Sequence, residues 1–218
     1  MATSFSPIDG TPSSLRIAVI PRLIATLSYS LAALGASLTA FVLFRVLQAM
    51  RDAETAGIGA VTGGISEANV PVLGGLYLAV AGGFVAIITA AVRLVVDTKT
   101  ASPPVWFYFI TAALSFLPVG LLWIMESIFI EALYPGSTGI SQVASTIQSL
   151  ATATIIVGPL SSLLLLIASV LPIKSKSQTR WPAIVVLVVI QFVLIAAAIA
   201  FQMRTSWLWR VMEAESFG

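Results

Sequence analysis

Five stretches of this chain contain no charged residue, and each is long enough to cross a lipid bilayer. They are residues 23–44, 68–92, 100–125, 132–173 and 181–203. A membrane-spanning helix needs about 20 apolar residues. The fourth stretch begins with a polar segment at 134–149, so only its later part, from about residue 150 to 173, is predicted to span. The sequence therefore predicts an all-α integral membrane protein with five transmembrane helices.

The composition agrees with a membrane protein. Hydrophobic residues make up 58% of the chain and charged residues 9%, against about 45–50% and about 25% in soluble domains. Such a chain cannot hide its apolar surface in a water-soluble globule, which excludes a soluble enzyme, a disordered chain and a coiled coil. The net charge of +2 is too small to indicate a nucleic-acid partner, whereas the lipid bilayer is an expected one.

No enzymatic chemistry is predicted. The chain has no cysteine and no histidine, which excludes disulfides, thiolate chemistry, histidine-ligated metals, haem and a serine–histidine triad. The glycines at 57, 59, 63 and 64 lack the Lys-Ser/Thr pair of a phosphate-binding loop. Because the carboxylates are scattered along the chain, we expect no catalytic residue, no metal and no cofactor.

The distribution of Lys and Arg predicts the orientation of the chain in the membrane. If the N-terminus is cytoplasmic, the inner side holds seven of these residues and the outer side four. The inner set is Arg16, Arg22, Arg93, Lys99, Lys174, Lys176 and Arg180, and the outer set is Arg45, Arg51, Arg204 and Arg210. This count favours an inner N-terminus and an outer C-terminus.

The chain divides into four parts by composition. We expect a polar N-terminal tail at 1–17, a helical hairpin at 18–98, a second hairpin at 99–174, and a fifth helix with an interfacial tail at 175–218. The segment Gly64-Ile65-Ser66-Glu67 recurs as Gly139-Ile140-Ser141-Gln142, each time before an outside-to-inside helix. The hairpins are therefore either a duplication or a coincidence of small and apolar residues.

Three sequence blocks in the first hairpin are similar to the core hairpin of the MotA/TolQ/ExbB family. The first runs Leu34-Gly35-Ala36-Ser37-Leu38-Thr39-Ala40-Phe41, the second Gly64-Ile65-Ser66-Glu67-Ala68, and the third Gly75-Leu76-Tyr77-Leu78-Ala79. Thr39 precedes Gly64 by 25 residues, which matches the ExbB-type spacing. The resemblance covers about residues 30–95, under a third of the chain.

The resemblance implies a function in energy transduction. Members of that family form the membrane ring of proton-driven machines in the bacterial inner membrane, around helices of a single-span partner of the ExbD/TolR kind. By position, Thr39 would match the family's pore-facing threonine in a proton channel. The remaining signature positions would be Leu34, Gly35, Gly64, Ile65, Glu67, Ala68, Gly75 and Leu76. A homo-oligomer is then expected.

The chain departs from the family in ways that leave other functions open. Val72 stands where a second pore threonine belongs, and Leu38 replaces the glycine before the first threonine. The family's large cytoplasmic domain is missing before the hairpin, and three additional helices follow it. One alternative is a structural or accessory subunit of a larger membrane complex without ion conduction, and a weaker one is a small secondary transporter.

Glu126 is the acid that lies well inside an apolar segment, where a charge is costly and a function is expected. Arg45 lies at a comparable depth in the first helix, so an ion pair between the two is one interpretation. The other interpretations are an ion path through Glu126 and Thr39, and a contact of Glu126 with a partner chain.

Two features of the helices concern packing. Gly75, Ala79 and Gly83 form a stripe of small residues, which allows close approach of another helix. That helix belongs either to a second subunit or to the same chain. Gly158-Pro159 is expected to interrupt the fourth helix, because proline removes a backbone donor.

Overall fold

The computed structural model describes residues 12–53, 58–96, 105–133, 140–170 and 180–216, and Asn69 is the one described residue outside a helix. The helices are α1 (Pro12–Ala53), α2 (Ile58–Ala68), α3 (Val70–Val96), α4 (Val105–Leu133), α5 (Ile140–Val170) and α6 (Arg180–Ser216).

Five segments are long and apolar enough to cross a membrane. They are Leu23–Ala49, Gly63–Val92, Phe107–Ala132, Val143–Ser169 and Ile184–Val211. The second segment combines the end of α2 with most of α3, so six helices make five spans. The prediction of five spanning helices in an all-helical chain is confirmed for the described residues.

Two helix starts differ from the sequence prediction. α1 begins at Pro12, inside the predicted polar tail, because a proline in the first turn loses no intrahelical hydrogen bond. α5 begins at Ile140, inside the predicted polar segment. Its hydroxyls bond to carbonyls one turn back, as in the Ser149 Oγ to Ser145 O contact of 2.9 Å, so these polar residues fit within a helix.

The expected interruption at Gly158-Pro159 was wrong, because α5 continues through both residues. The second span is interrupted instead, at Asn69 between α2 and α3. Pro71 has no N–H, so the carbonyl of Glu67 lacks its usual donor four residues later. The Asn69 N–H bonds to the carbonyls of Ile65 and Ser66, at 3.1 and 3.3 Å.

α1 is the central helix of the bundle. Its spanning segment is 56% buried, against 33% in each of the other four. It packs against α3, α5 and α4, while α6 packs on α2, α3 and α4. The helix faces that point away from the bundle carry large exposed apolar side chains such as Leu38, Ile88 and Phe192. These side chains suit contact with lipid.

Glycines let the backbones of α1 and α3 approach closely. A Cβ on Gly35 would lie 2.5 Å from the carbonyl oxygen of Pro71, and a Cβ on Gly75 would collide with the carbonyl oxygen of Leu31. Ala79, further along the same stripe, is fully buried, and Gly83 faces the Gln191 side chain of α6. The stripe of small residues therefore packs against helices of its own chain.

Two hydroxyls join α1 to α5. The Ser37 Oγ lies 2.9 Å from the Thr154 carbonyl of α5, and the Ser162 Oγ lies 3.1 Å from the Ser30 carbonyl of α1. Gly158 lies between these contacts, where a Cβ would be 2.6 Å from the Ala33 carbonyl oxygen. This explains why a glycine precedes Pro159 in a continuous helix.

The two adjacent glycines of α3 provide a matched test of this packing. We expect Gly75→Ala to destabilise the bundle by about 1–3 kcal/mol, because the new methyl group collides with the α1 backbone. Gly74→Ala is the control, since a Cβ there meets nothing within 4 Å. Thermal unfolding in detergent measures both, and equal stability of the two variants would contradict the packing.

Candidate functional site

Thr39 contacts the interruption between α2 and α3. Its side chain is fully buried, and the Val72 backbone N–H donates to its Oγ1 at 3.2 Å. Val72 lies in the first turn of α3, where backbone N–H groups have no acceptor within their own helix. Thr39 thus caps α3 from the neighbouring helix α1.

The other positions of the family resemblance lie around this contact between α1 and α3. Gly35, Ile65, Ala68, Gly75 and Leu76 are buried, Gly64 is half-buried, and Leu34 and Glu67 are exposed. The buried members pack within one chain, and Thr39 is covered by that packing. A pore-facing role for Thr39 stays a prediction from the resemblance.

Glu126 is fully buried on α4, and its cation is Arg204 of α6. The Arg204 Nε lies 3.7 Å from the Glu126 Oε2. Arg45 is exposed on α1, so the structure does not bring together the expected pair of Arg45 and Glu126. The sequence predicts Arg204 at the outer flank of the fifth span, whereas the packing of α6 on α4 brings it to the buried carboxylate.

Arg204 is held mainly by α4 groups other than Glu126. Its Nη2 donates to the Ser127 Oγ at 3.0 Å and its Nη1 to the Trp123 carbonyl at 3.4 Å. The guanidinium carbon lies 4.2 Å from the centre of the Trp123 ring, a cation–π arrangement. Phe201 meets the same ring edge to face at 5.0 Å. The guanidinium is therefore positioned between the indole and the carboxylate.

Asn69, at the interruption of the second span, completes the site. It is fully buried beside the Glu126 carboxylate, and its Nδ2 lies 3.3 Å from the Thr205 Oγ1 of α6. We call Asn69, Glu126, Arg204 and Thr205 the Glu126 cluster.

The Glu126 cluster contains polar atoms that lack partners. Within the described part of the chain, three of its buried oxygens have no hydrogen-bond partner: Asn69 Oδ1, Glu126 Oε1 and Glu126 Oε2. Unsatisfied groups of this kind are rare and costly in protein interiors. An acid with such surroundings inside a membrane bundle is the candidate functional site of this protein.

Sequence reasoning found Glu126 but missed its neighbours. Asn69 is a polar residue in the middle of an otherwise apolar stretch, and Pro71 follows it by two residues. Together these signals predict a break with a polar side chain at it, as in discontinuous membrane helices. The choice of Arg204 over Arg45 had no comparable signal in the sequence.

A scan against protein-family models gives no match for this chain, and neither a curated protein nor a solved structure matches it.

The cap on α3 can be tested with an isosteric substitution. We expect Thr39→Val to destabilise the protein by about 1–3 kcal/mol, because the buried Val72 N–H loses its acceptor. Thr39→Ser keeps the oxygen and should retain most of the stability. Thermal unfolding in detergent compares the two, and a Thr39→Val protein as stable as the wild type would refute the capping role.

Proposed function

We propose that this chain is a non-enzymatic accessory subunit of a larger membrane complex and not the wall of a proton-conducting ring. The observation that carries this proposal is the fully buried side chain of Thr39, whose oxygen accepts the Val72 N–H. In the ring-forming family that the first hairpin resembles, the corresponding threonine faces a pore that holds a partner helix. A threonine sealed within its own chain is not available for that contact.

The packing around α1 supports the same proposal. α3, α5 and α4 of the same chain pack against this helix, and glycines bring α3 against its backbone. The face that α1 leaves exposed carries Leu27, Leu31, Leu34 and Leu38, and these apolar side chains offer no lining for a proton path. The hairpin that resembles the ring family serves here as the core of a five-span bundle, in the inner-membrane orientation that the Lys and Arg count favours.

A polar pair on the surface of the bundle supports the presence of a partner. The Tyr77 hydroxyl donates to the Gln202 Oε1 at 3.0 Å, and both side chains are exposed. Tyr77 lies in the middle of the second spanning segment, Gly63–Val92. In an apolar surrounding, glutamine side chains hydrogen-bond to neighbouring helices. The α3–α6 surface is thus suited to a partner helix that offers a hydrogen-bonding side chain.

A proton-driven ring subunit is the second candidate. The buried acid in the Glu126 cluster favours it, because intramembrane acids are typical of proton pathways. Glu126 lies outside the hairpin that resembles the family, so this candidate would need a different proton path from the one the resemblance implies.

The mass of the native, detergent-extracted complex, with identification of every chain in it, separates the two candidates. We expect one copy of this chain among unrelated membrane subunits. A closed ring of identical copies around a single-span partner with an intramembrane Asp would overturn the accessory role.

A substitution on the α3–α6 surface tests the docking of a partner. We expect Gln202→Leu to reduce the yield of copurifying subunits severalfold while the isolated chain keeps its unfolding temperature. Gln148→Leu, the same change at an exposed position of α5, is the matched control and should leave the yield unchanged. Equal yields from both variants would place the interface elsewhere.

A further inference from the structure

Three acceptors of the Glu126 cluster are left without a donor. Both carboxylate oxygens and the Asn69 Oδ1 lack hydrogen-bond partners within the described residues. The Arg204 Nε is 3.7 Å from Glu126, which is too far for a good hydrogen bond. A carboxylate without donors is poorly solvated in a membrane interior.

The donors of Arg204 are engaged on α4. Its Nη groups contact the Ser127 hydroxyl and the Trp123 carbonyl, and its plane lies over the Trp123 ring. These contacts satisfy the guanidinium on α4, and its approach to Glu126 is limited to the ion pair at 3.7 Å. A pair this loose leaves the carboxylate oxygens open to bind a proton.

Asn69 can serve both protonation states of Glu126. A carboxamide presents two N–H donors and one carbonyl acceptor. Its Nδ2 suits an ionised carboxylate, and its unpartnered Oδ1 suits the O–H of a carboxylic acid. One proton on Glu126 would therefore give the Asn69 Oδ1 a donor.

We propose that Glu126 is a site that binds one exchangeable proton, and that release of this proton draws the Arg204 guanidinium from Trp123 onto the carboxylate. In the uptake step, an oxygen of Glu126 forms an O–H bond with a proton from hydronium, which leaves as water. Release reverses the step. Of the two groups, Arg204 is the one that reaches the surface, with 13% of its side chain exposed.

Among the residues whose side chains the structure describes, Glu126 is the one charged side chain that is buried. α3 and α5 bring no charged residue within 70–92 and 140–170. Arg45 on α1, Glu67 on α2, Glu131 on α4 and Arg210 on α6 are all exposed. The proton on Glu126 and the position of Arg204 therefore control each other.

Infrared spectroscopy of the purified protein tests proton binding directly. We expect a pH-dependent carboxylic C=O stretching band that disappears in Glu126→Gln, whose amide resembles the neutral acid. Glu131→Gln, an exposed change on the same helix, is the control and should keep the band. The proposal is overturned if Glu126→Gln retains the whole pH-dependent signal, or if the wild type has none.

Tryptophan fluorescence tests the movement of Arg204 without a change at Glu126. We expect the wild-type emission to titrate with the infrared band, and Trp123→Phe to lose that part of the emission. Trp207→Phe, the same change at an exposed position of α6, is the control and should keep it. An emission change that persists in Trp123→Phe would refute the movement of Arg204 off the indole.

This inference goes beyond the accessory role, and separate measurements test the proton site and the accessory role. Native mass measured on the same Glu126→Gln sample reports assembly, and the infrared band reports proton binding. Loss of the band with an unchanged complex supports the proton site, whatever the complex contains.

Discussion

The close approach of α1 and α3 governs most of what the structure places around it. It depends on Gly35 and Gly75, where any side chain would meet a carbonyl of the opposite helix. At that separation the Thr39 hydroxyl reaches the Val72 N–H, which gives α3 an acceptor for its first turn. The interruption at Asn69 is thereby stabilised, and the Asn69 side chain is directed towards Glu126. The close packing at Gly35 and Gly75 thus helps to position Asn69 beside Glu126.

α6 joins the bundle by a different kind of contact. Its Gln191 carboxamide donates to the Val80 carbonyl at 2.6 Å in the space that Gly83 leaves open. Further along, Thr205 contacts Asn69 and Arg204 contacts α4. The contact between α1 and α3 depends on short distances between their backbones. The contacts of α6 depend instead on polar side chains that hydrogen-bond to α3, α4 and Asn69. Polar contacts of this kind can exchange partners, which is what the proton site requires.

The sequence alone predicts the five spanning helices, but it does not predict which residues pack around Glu126. Five apolar stretches predicted five spanning helices because length and hydropathy act locally along the chain. Two helices begin earlier than the sequence predicts. Pro12 costs no hydrogen bond at a helix start, and the serines of α5 bond to carbonyls one turn back, neither of which composition alone reveals. Glu126 was recognised by the cost of its position, but Arg204 was not recognised as its cation. Which helix faces Glu126 depends on packing, and two arginines at similar depths offered no means of choosing.

The interruption at Asn69 has a mechanical consequence. Hydrogen bonds cross it on both sides, because the Asn69 N–H bonds to the Ile65 carbonyl and the Leu73 N–H bonds to the Asn69 carbonyl at 3.0 Å. The missing N–H of Pro71 leaves one bond of the ladder unmade, so a bend of the second span would pivot at this place. A pivot moves the far end of α2 most and Asn69 least, which keeps the Asn69 side chain beside the buried acid of α4 while α2 changes direction.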